Sequence, residues 1–233
     1  MSPFSIWLRE NKQWRPMVRA YLAVTTFVDA QVGRVLEAVD EAGVADNTVV
    51  VLWSDHGWHL GEKGISGKCS LWSESTRVPL VFAGPGIAAD ASCDAPVELL
   101  DVYPTLVDLC GLPRKVELEG ASLRPQLQDA SAPRSRPAIT TMSRNNHAVR
   151  TADWCYLRYA DGSEELYDRK QDPAEWKNLA DDPRFAEIKS DLARLLPVVN
   201  TPPVRGSSKR LVERKGGRWL WQGQEIVPKE AIK

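Results

Sequence analysis

TVVVLWSDHGWHLGEKGISGKCSLWSESTRVPLVFAGPG, Thr48 to Gly86, holds two short apolar runs separated by a polar, glycine-rich loop. Thr48 to Trp53 is β-branched and does not alternate, the pattern of a strand buried on both faces, as in a parallel sheet. Val78 to Gly86 repeats it and is stopped by Gly84-Pro85-Gly86. Upstream, Met17, Tyr21, Val24, Val28, Val32, Val35 and Val39 recur at spacings of three or four, while Asp29, Arg34, Glu37 and Asp40 lie off that stripe. This is the period of a long amphipathic helix, ending near Gly43. Helix, strand, loop and strand in that order read as part of an α/β sheet with flanking helices.

Outward from this unit the chain changes character. A further helix is expected from about Leu100 to Leu109, with Asp101 as N-cap and Pro104 tolerated in the first turn. Residues 113–137 are loop-rich, with several prolines and a short turn at SLRPQLQ. Four strand-like runs follow at 138–142, 147–151, 154–160 and 164–168, and Asp161-Gly162 between the last two is a hairpin signal. Pro183 to Leu196 reads as a closing amphipathic helix. The segment after Pro197 is basic and punctuated by proline and glycine, which suggests a loosely held tail. The expected organisation is an α/β part over 1–112, a connection over 113–137, a small antiparallel β subdomain with its helix over 138–197, and a basic tail over 198–233.

Composition excludes several classes of partner. Thirty Lys and Arg against 31 Asp and Glu leave a formal charge of −1 over 233 residues, so neither nucleic acid nor a membrane surface is the expected partner. The four cysteines lack CxxC or zinc-finger spacing, which argues against a disulfide framework. No window is long and apolar enough for a transmembrane helix, and the N-terminus lacks the layout of a signal peptide. The compartment stays unassigned.

The loop from Ser54 to Lys68 concentrates the chemistry. It holds two of the three histidines of the chain, with Asp55 beside the first. Ligands of open α/β sheets bind beyond the carboxyl ends of the strands, where Asp55 and His56 stand. A carboxylate and an adjacent imidazole can both reach a divalent cation if the backbone turns sharply, and Gly57 would permit the turn. Gly61, Gly64 and Gly67 would keep the loop bare for a ligand, and Lys68 suits an anionic oxygen. Other readings stay open. Asp and Gly are ordinary turn residues, Glu62 can bond loop amides, and zinc on His56 and His59 would lack a clear third ligand.

The run from Phe27 to Gly86 resembles the sulfatases of the alkaline phosphatase superfamily, most of all the bacterial iduronate-2-sulfatase-like branch. The resemblance is carried by DHG after an apolar strand, then GE, Lys68, SLW and RVPL, and it extends to LLDVYPTLVDLCGLP (99–113), NHAVRT (146–151) and YLRYADGSEELYDRKQDPAEWKNLA (156–180). It implies a partial alkaline phosphatase-like sheet flanked by helices, with a small C-terminal antiparallel sheet plus helix. By the same resemblance, Asp55 and His56 would be metal ligands, normally for Ca²⁺, and Lys68 would contact the sulfate group. His59 and His147 are possible substrate-side residues. The implied reaction is hydrolysis of a sulfate ester of a carbohydrate. Family members are typically periplasmic, secreted or lysosomal.

Sulfatases attack sulfur with a formylglycine made from Cys or Ser in a C/S-x-P/A-x-R motif. No cysteine or serine of this chain begins that motif. The resemblance therefore implies the C-terminal half of a sulfatase, inactive alone and in need of an N-terminal half. Two other functions remain in view: a phosphodiesterase or phosphonate hydrolase of the same superfamily, and a non-catalytic domain that binds anionic sugars.

Overall fold

The computed structural model describes residues 3–202, 212–216, 218–221 and 224–225. It begins with α1 (Pro3–Glu10) and the 28-residue α2 (Trp14–Glu41), the helix that the apolar stripe predicts. None of the α2 residues is buried; Leu22, Val24, Phe27, Val28 and Val35 are all more than half exposed. The amphipathic pattern thus marks a face available for packing, which among the described residues stays unburied.

The two apolar runs of the opening stretch become β1 (Val50–Trp53) and β4 (Leu80–Ala83). They pair antiparallel, with Val50 opposite Ala83 and Trp53 opposite Leu80. Expectation and structure differ here in both direction and burial. The strands are neighbours, but they are not parallel, and Leu52, Trp53 and Val81 are exposed. A continuous apolar run states that both faces of a strand suit burial; it says nothing of what covers them or which way the partner runs. Between these strands the loop forms a two-residue ladder, β2 (His59–Leu60) with β3 (Ser66–Gly67), and one helical turn, α3 (Ser73–Thr76).

The expected helix at 100–109 is a 3-10 turn at Leu99–Asp101 running into α4 (Val102–Leu109). Asp101 occupies the N-cap position of α4, yet its carboxylate does not cap that helix. It accepts instead from the Glu98 N–H and the Ala121 N–H, both at 2.8 Å, and pairs with Arg134. The 113–137 segment is therefore anchored rather than free. Leu123 N–H reaches the Thr105 hydroxyl at 2.9 Å, Ser122 and Arg124 bond Asp108, and SLRPQLQ contains a short helix, α5 (Arg124–Gln128).

The apolar core lies in the C-terminal sheet. The four strand-like runs form β5 (Ala138–Thr141), β6 (His147–Arg150), β7 (Trp154–Arg158) and β8 (Glu164–Asp168), an antiparallel meander in sequence order. Alternation sorts its side chains. Ala148, Cys155, Leu157 and Tyr167 meet Leu71 and Trp72 of the loop on one face. Val149, Tyr156 and Leu166 meet Ala180, Ile188 and Leu192 on the other, where α6 (Ala186–Ala193) closes the sheet. All of β6 is buried because both faces are covered. The Asp161-Gly162 turn forms as its residues require, with Gly162 at φ 89° and the Asp161 carboxylate taking the Ser163 N–H.

Around the Met1–Leu196 unit, this sheet also carries a titrating contact. The Tyr156 hydroxyl donates to Glu164, and this bond, ahead of those from Lys189 and Arg158, holds the Glu164 carboxyl below its ordinary value against the opposing push of burial. A depressed carboxyl pKa stabilises the fold above the unfolded value, 4.5, and that contribution disappears as pH falls through the lower folded value. Glu164→Gln is accordingly expected to flatten the acid limb of the stability–pH curve below about pH 4.5, read from urea midpoints.

Pro197–Lys233 is a second unit, and its description differs from the loosely held tail expected of 198–233. Among the described residues it contains β9 (Val212–Lys215), β10 (Arg218–Trp221) and β11 (Gln224–Glu225), paired antiparallel. Gly216 at φ 57° sits in the turn between the first two. The rest of that expectation falls outside the described residues. No helix among the described residues is long and apolar enough to cross a membrane.

Candidate active site

Where β1 ends, the chain passes through Asp55 and His56 and turns back beneath α3. Gly57 N–H donates to the Ser75 carbonyl at 2.8 Å. A Cβ at position 57 would lie 2.1 Å from the Glu74 carbonyl oxygen. Gly57 is thus needed for the close approach of two backbones, whereas the sequence suggested a turn. Gly61 serves a similar end: Trp14 of α2 donates its indole N–H to Leu60 O at 2.5 Å, and a Cβ on Gly61 would stand 2.7 Å from that indole nitrogen. The bareness of this glycine admits the protein's own tryptophan.

Three of the residues singled out from sequence converge. Lys68 Nζ lies 2.7 Å from His56 Nε2, and the same nitrogen is 3.6 Å from Asp55 Oδ2. On its other side His56 Nδ1 is 2.9 Å from the Gly57 carbonyl oxygen. A carbonyl only accepts and an ammonium only donates, so Nδ1 carries the hydrogen and Nε2 presents a lone pair. That is the tautomer of a metal-ligating histidine whose orientation a backbone carbonyl fixes. The Lys68 ammonium stands against that lone pair, and the Asp55 carboxylate, which is three-quarters exposed, approaches the same ring nitrogen. The pair fits one side of a cation site. Calcium takes about six to eight oxygens, and among the described residues no cluster of three or more His, Cys, Asp or Glu is grouped to hold a metal.

The other two histidines are placed elsewhere. His59 is fully buried, with Nε2 2.8 Å from the Ser70 hydroxyl and its ring edge-on to Trp72. It faces the interior of the loop, away from solvent. His147 is buried in β6, with Nδ1 2.9 Å from the Thr141 hydroxyl. Glu62 accepts the Leu60 N–H at 2.6 Å, the loop-amide role weighed from sequence. Trp58 was overlooked: it is partly exposed, and its ring stands 6.3 Å from that of His56, forming an apolar wall beside the charged groups. Its signal was an aromatic between two histidines in an otherwise polar loop.

Comparison with solved structures defines the class first. Residues covering 78% of this chain superpose, at TM-score 0.72 and 30% identity, on 40% of a protein solved in complex with its substrate D-glucosamine-2-N,6-O-disulfate. The fold is the alkaline phosphatase-like fold of sulfatases, of which the chain holds a part. The chain belongs to the sulfatase family: its residues 7–112 match the sulfatase family model and 61–201 the model of the N-sulphoglucosamine sulphohydrolase C-terminal region. A sulfatase of Formosa agariphila is 44% identical over 200 residues, which are 86% of this chain and 39% of that protein. A Δ4,5-hexuronate-2-O-sulfatase of Bacteroides thetaiotaomicron is 34% identical over 84% of this chain and 43% of its own length. The chain spans about two fifths of the curated relatives it matches.

Proposed function

We propose that this chain supplies one side of the cation and sulfate sites of an enzyme that hydrolyses sulfate esters of a carbohydrate. The observation that carries the reading is the convergence of Lys68, His56 and Asp55 at the end of β1. Asp55 and His56 Nε2 would hold a divalent cation, Ca²⁺ by family resemblance, and such an ion when bound polarises sulfate oxygens. Lys68 would meet the anionic sulfate with its ammonium and offset charge there. The nucleophile, a formylglycine in this family, and the remaining ligands would come from polypeptide outside this chain, which carries no C/S-x-P/A-x-R motif. The hexuronate 2-O-sulfatase relative supports a uronate 2-sulfate as the first substrate to assay.

The test measures sulfate release from a hexuronate 2-sulfate and from an aryl sulfate. The chain is assayed alone and together with the N-terminal part of the Formosa relative, the roughly three fifths that it does not match. Turnover is expected only in combination, and Lys68→Ala should lower it about 10²–10³-fold. Turnover by the chain alone would refute the external nucleophile. An unaltered rate in the lysine variant would refute the sulfate contact.

A further inference from the structure

We infer that Glu175, about a hundred residues downstream of the site loop, is the residue that positions both halves of the site. This rests on the reading of Asp55, His56 and Lys68 just given. Glu175 is 2% exposed, and its carboxylate is divided among three donors. Oε2 accepts the Ser73 N–H at 2.8 Å, and Oε1 accepts the Ser73 hydroxyl at 2.7 Å and Arg150 Nη2 at 3.3 Å. Arg150 Nη2 also donates to the Leu71 carbonyl at 2.5 Å. Arg150 of β6 and Glu175 of the turn after β8 therefore grip residues 71–73 by one buried base and one buried acid.

Both halves of the site hang from that grip. Ser73 opens α3, whose Ser75 carbonyl receives the Gly57 N–H, and Gly57 follows His56 and gives His56 Nδ1 its carbonyl partner. On the other side Ser70 N–H bonds the Lys68 carbonyl at 3.0 Å, and the Ser70 hydroxyl bonds Ser75 and receives His59. A second attachment runs beside the first. Lys63 donates to the Glu175 backbone carbonyl, its ammonium 4.9 Å from the Trp72 ring centre and 4.7 Å from that of Trp176. Lys63 and Glu175 both take left-handed backbone, φ 53° and 56°, without being glycine. Such conformations persist only where surrounding contacts over-determine them.

The geometry separates positioning from mere stability. Arg150 Nε and Nη1 are buried without partners, so deleting Glu175 outright would strand a guanidinium and could unfold the protein. Glu175→Gln is milder. Its Oε1 keeps the Ser73 hydroxyl and Arg150, while its amide NH₂ faces the Ser73 N–H, donor against donor, and frees the start of α3. The readout is the ¹⁵N-indole resonance of Trp58, assigned with Trp58→Phe, in the chain alone and, with the N-terminal part of the Formosa relative added, in a titration with inorganic sulfate.

Glu175→Gln is expected to move the Trp58 resonance and weaken sulfate about tenfold, the size of one charge-assisted hydrogen bond. Ser73→Ala should give a smaller shift in the same direction. Leu192→Ala, on the opposite face of the sheet, should lower the unfolding midpoint and leave the resonance in place. An unmoved resonance in Glu175→Gln, or an equal displacement in Leu192→Ala, would overturn the inference. If the wild-type chain complemented with the N-terminal part of the Formosa relative binds no sulfate, the sulfate reading of Lys68 fails, while the Trp58 resonance of the chain alone still decides the role of Glu175.

Discussion

Replacing Asp101 with alanine is expected to destabilise the protein by about 3–5 kcal/mol, the usual cost of removing one partner of a buried ion pair. Both members are hidden, Asp101 fully and the Arg134 side chain at 5% exposure. The carboxylate also serves the Glu98 and Ala121 N–H groups at 2.8 Å, and each would be left without an acceptor. Glu98 in turn accepts the Ile139 N–H at 3.0 Å, at the start of the C-terminal sheet. Loss of Asp101 therefore loosens the α4 turn and the 113–137 segment together. Set against a total of about 5–15 kcal/mol for ordinary domains, the change is large. Urea unfolding measures it. Asp101→Asn, which keeps one acceptor oxygen, should lose distinctly less, and an alanine variant within about 0.5 kcal/mol of wild type would contradict this account.

Gly57→Ala is expected to open the site itself. The new methyl would meet the backbone oxygen of Glu74 at 2.1 Å and that of Arg77 at 3.1 Å. Neither neighbour is a flexible side-chain end, so one backbone must retreat, at about 1–3 kcal/mol. The bond from Gly57 N–H to Ser75 O lengthens, His56 loses its fixed carbonyl partner, and Lys68 no longer meets Nε2. A displacement of about 1 Å at a reacting centre lowers turnover roughly 10²-fold. The variant should accordingly fold, with a modest fall in urea midpoint, but show a far larger fall in sulfate-ester turnover in the complemented assay. Equal rates for variant and wild type would mean that the Gly57 contact does not position the site.

The particular elements show where sequence reading succeeds. The helix over 17–39, the four strands of 138–168 and the Asp161-Gly162 turn are local patterns, and each formed where its period or turn chemistry placed it. The grouping of Asp55 with His56 is equally local, since adjacent residues cannot separate. Lys68 was legible as a cation suited to an anionic oxygen and, by the resemblance, as a sulfate contact, but its approach to His56, twelve positions away, was not. His59 shows the reverse: two histidines three residues apart suggested a shared site, but a two-residue ladder turns the second inward onto Ser70.

Sequence alone determined the long helix, the two strands of the opening stretch and the C-terminal meander with its closing helix, which loop holds the ionisable groups, and the sulfatase resemblance, because these rest on short-range periodicity and on residue identity. Tertiary structure decided the rest. That β1 and β4 run antiparallel and half exposed, that the core lies in the C-terminal sheet, and that Glu175 and Arg150 grip the loop are long-range pairings. Their partners are chosen by three-dimensional fit and by the demand that buried charges and backbone groups be satisfied. No local pattern carries that information, since a carboxylate in a DPAEW turn looks the same in sequence whether it meets water or, 102 residues away, the Ser73 hydroxyl.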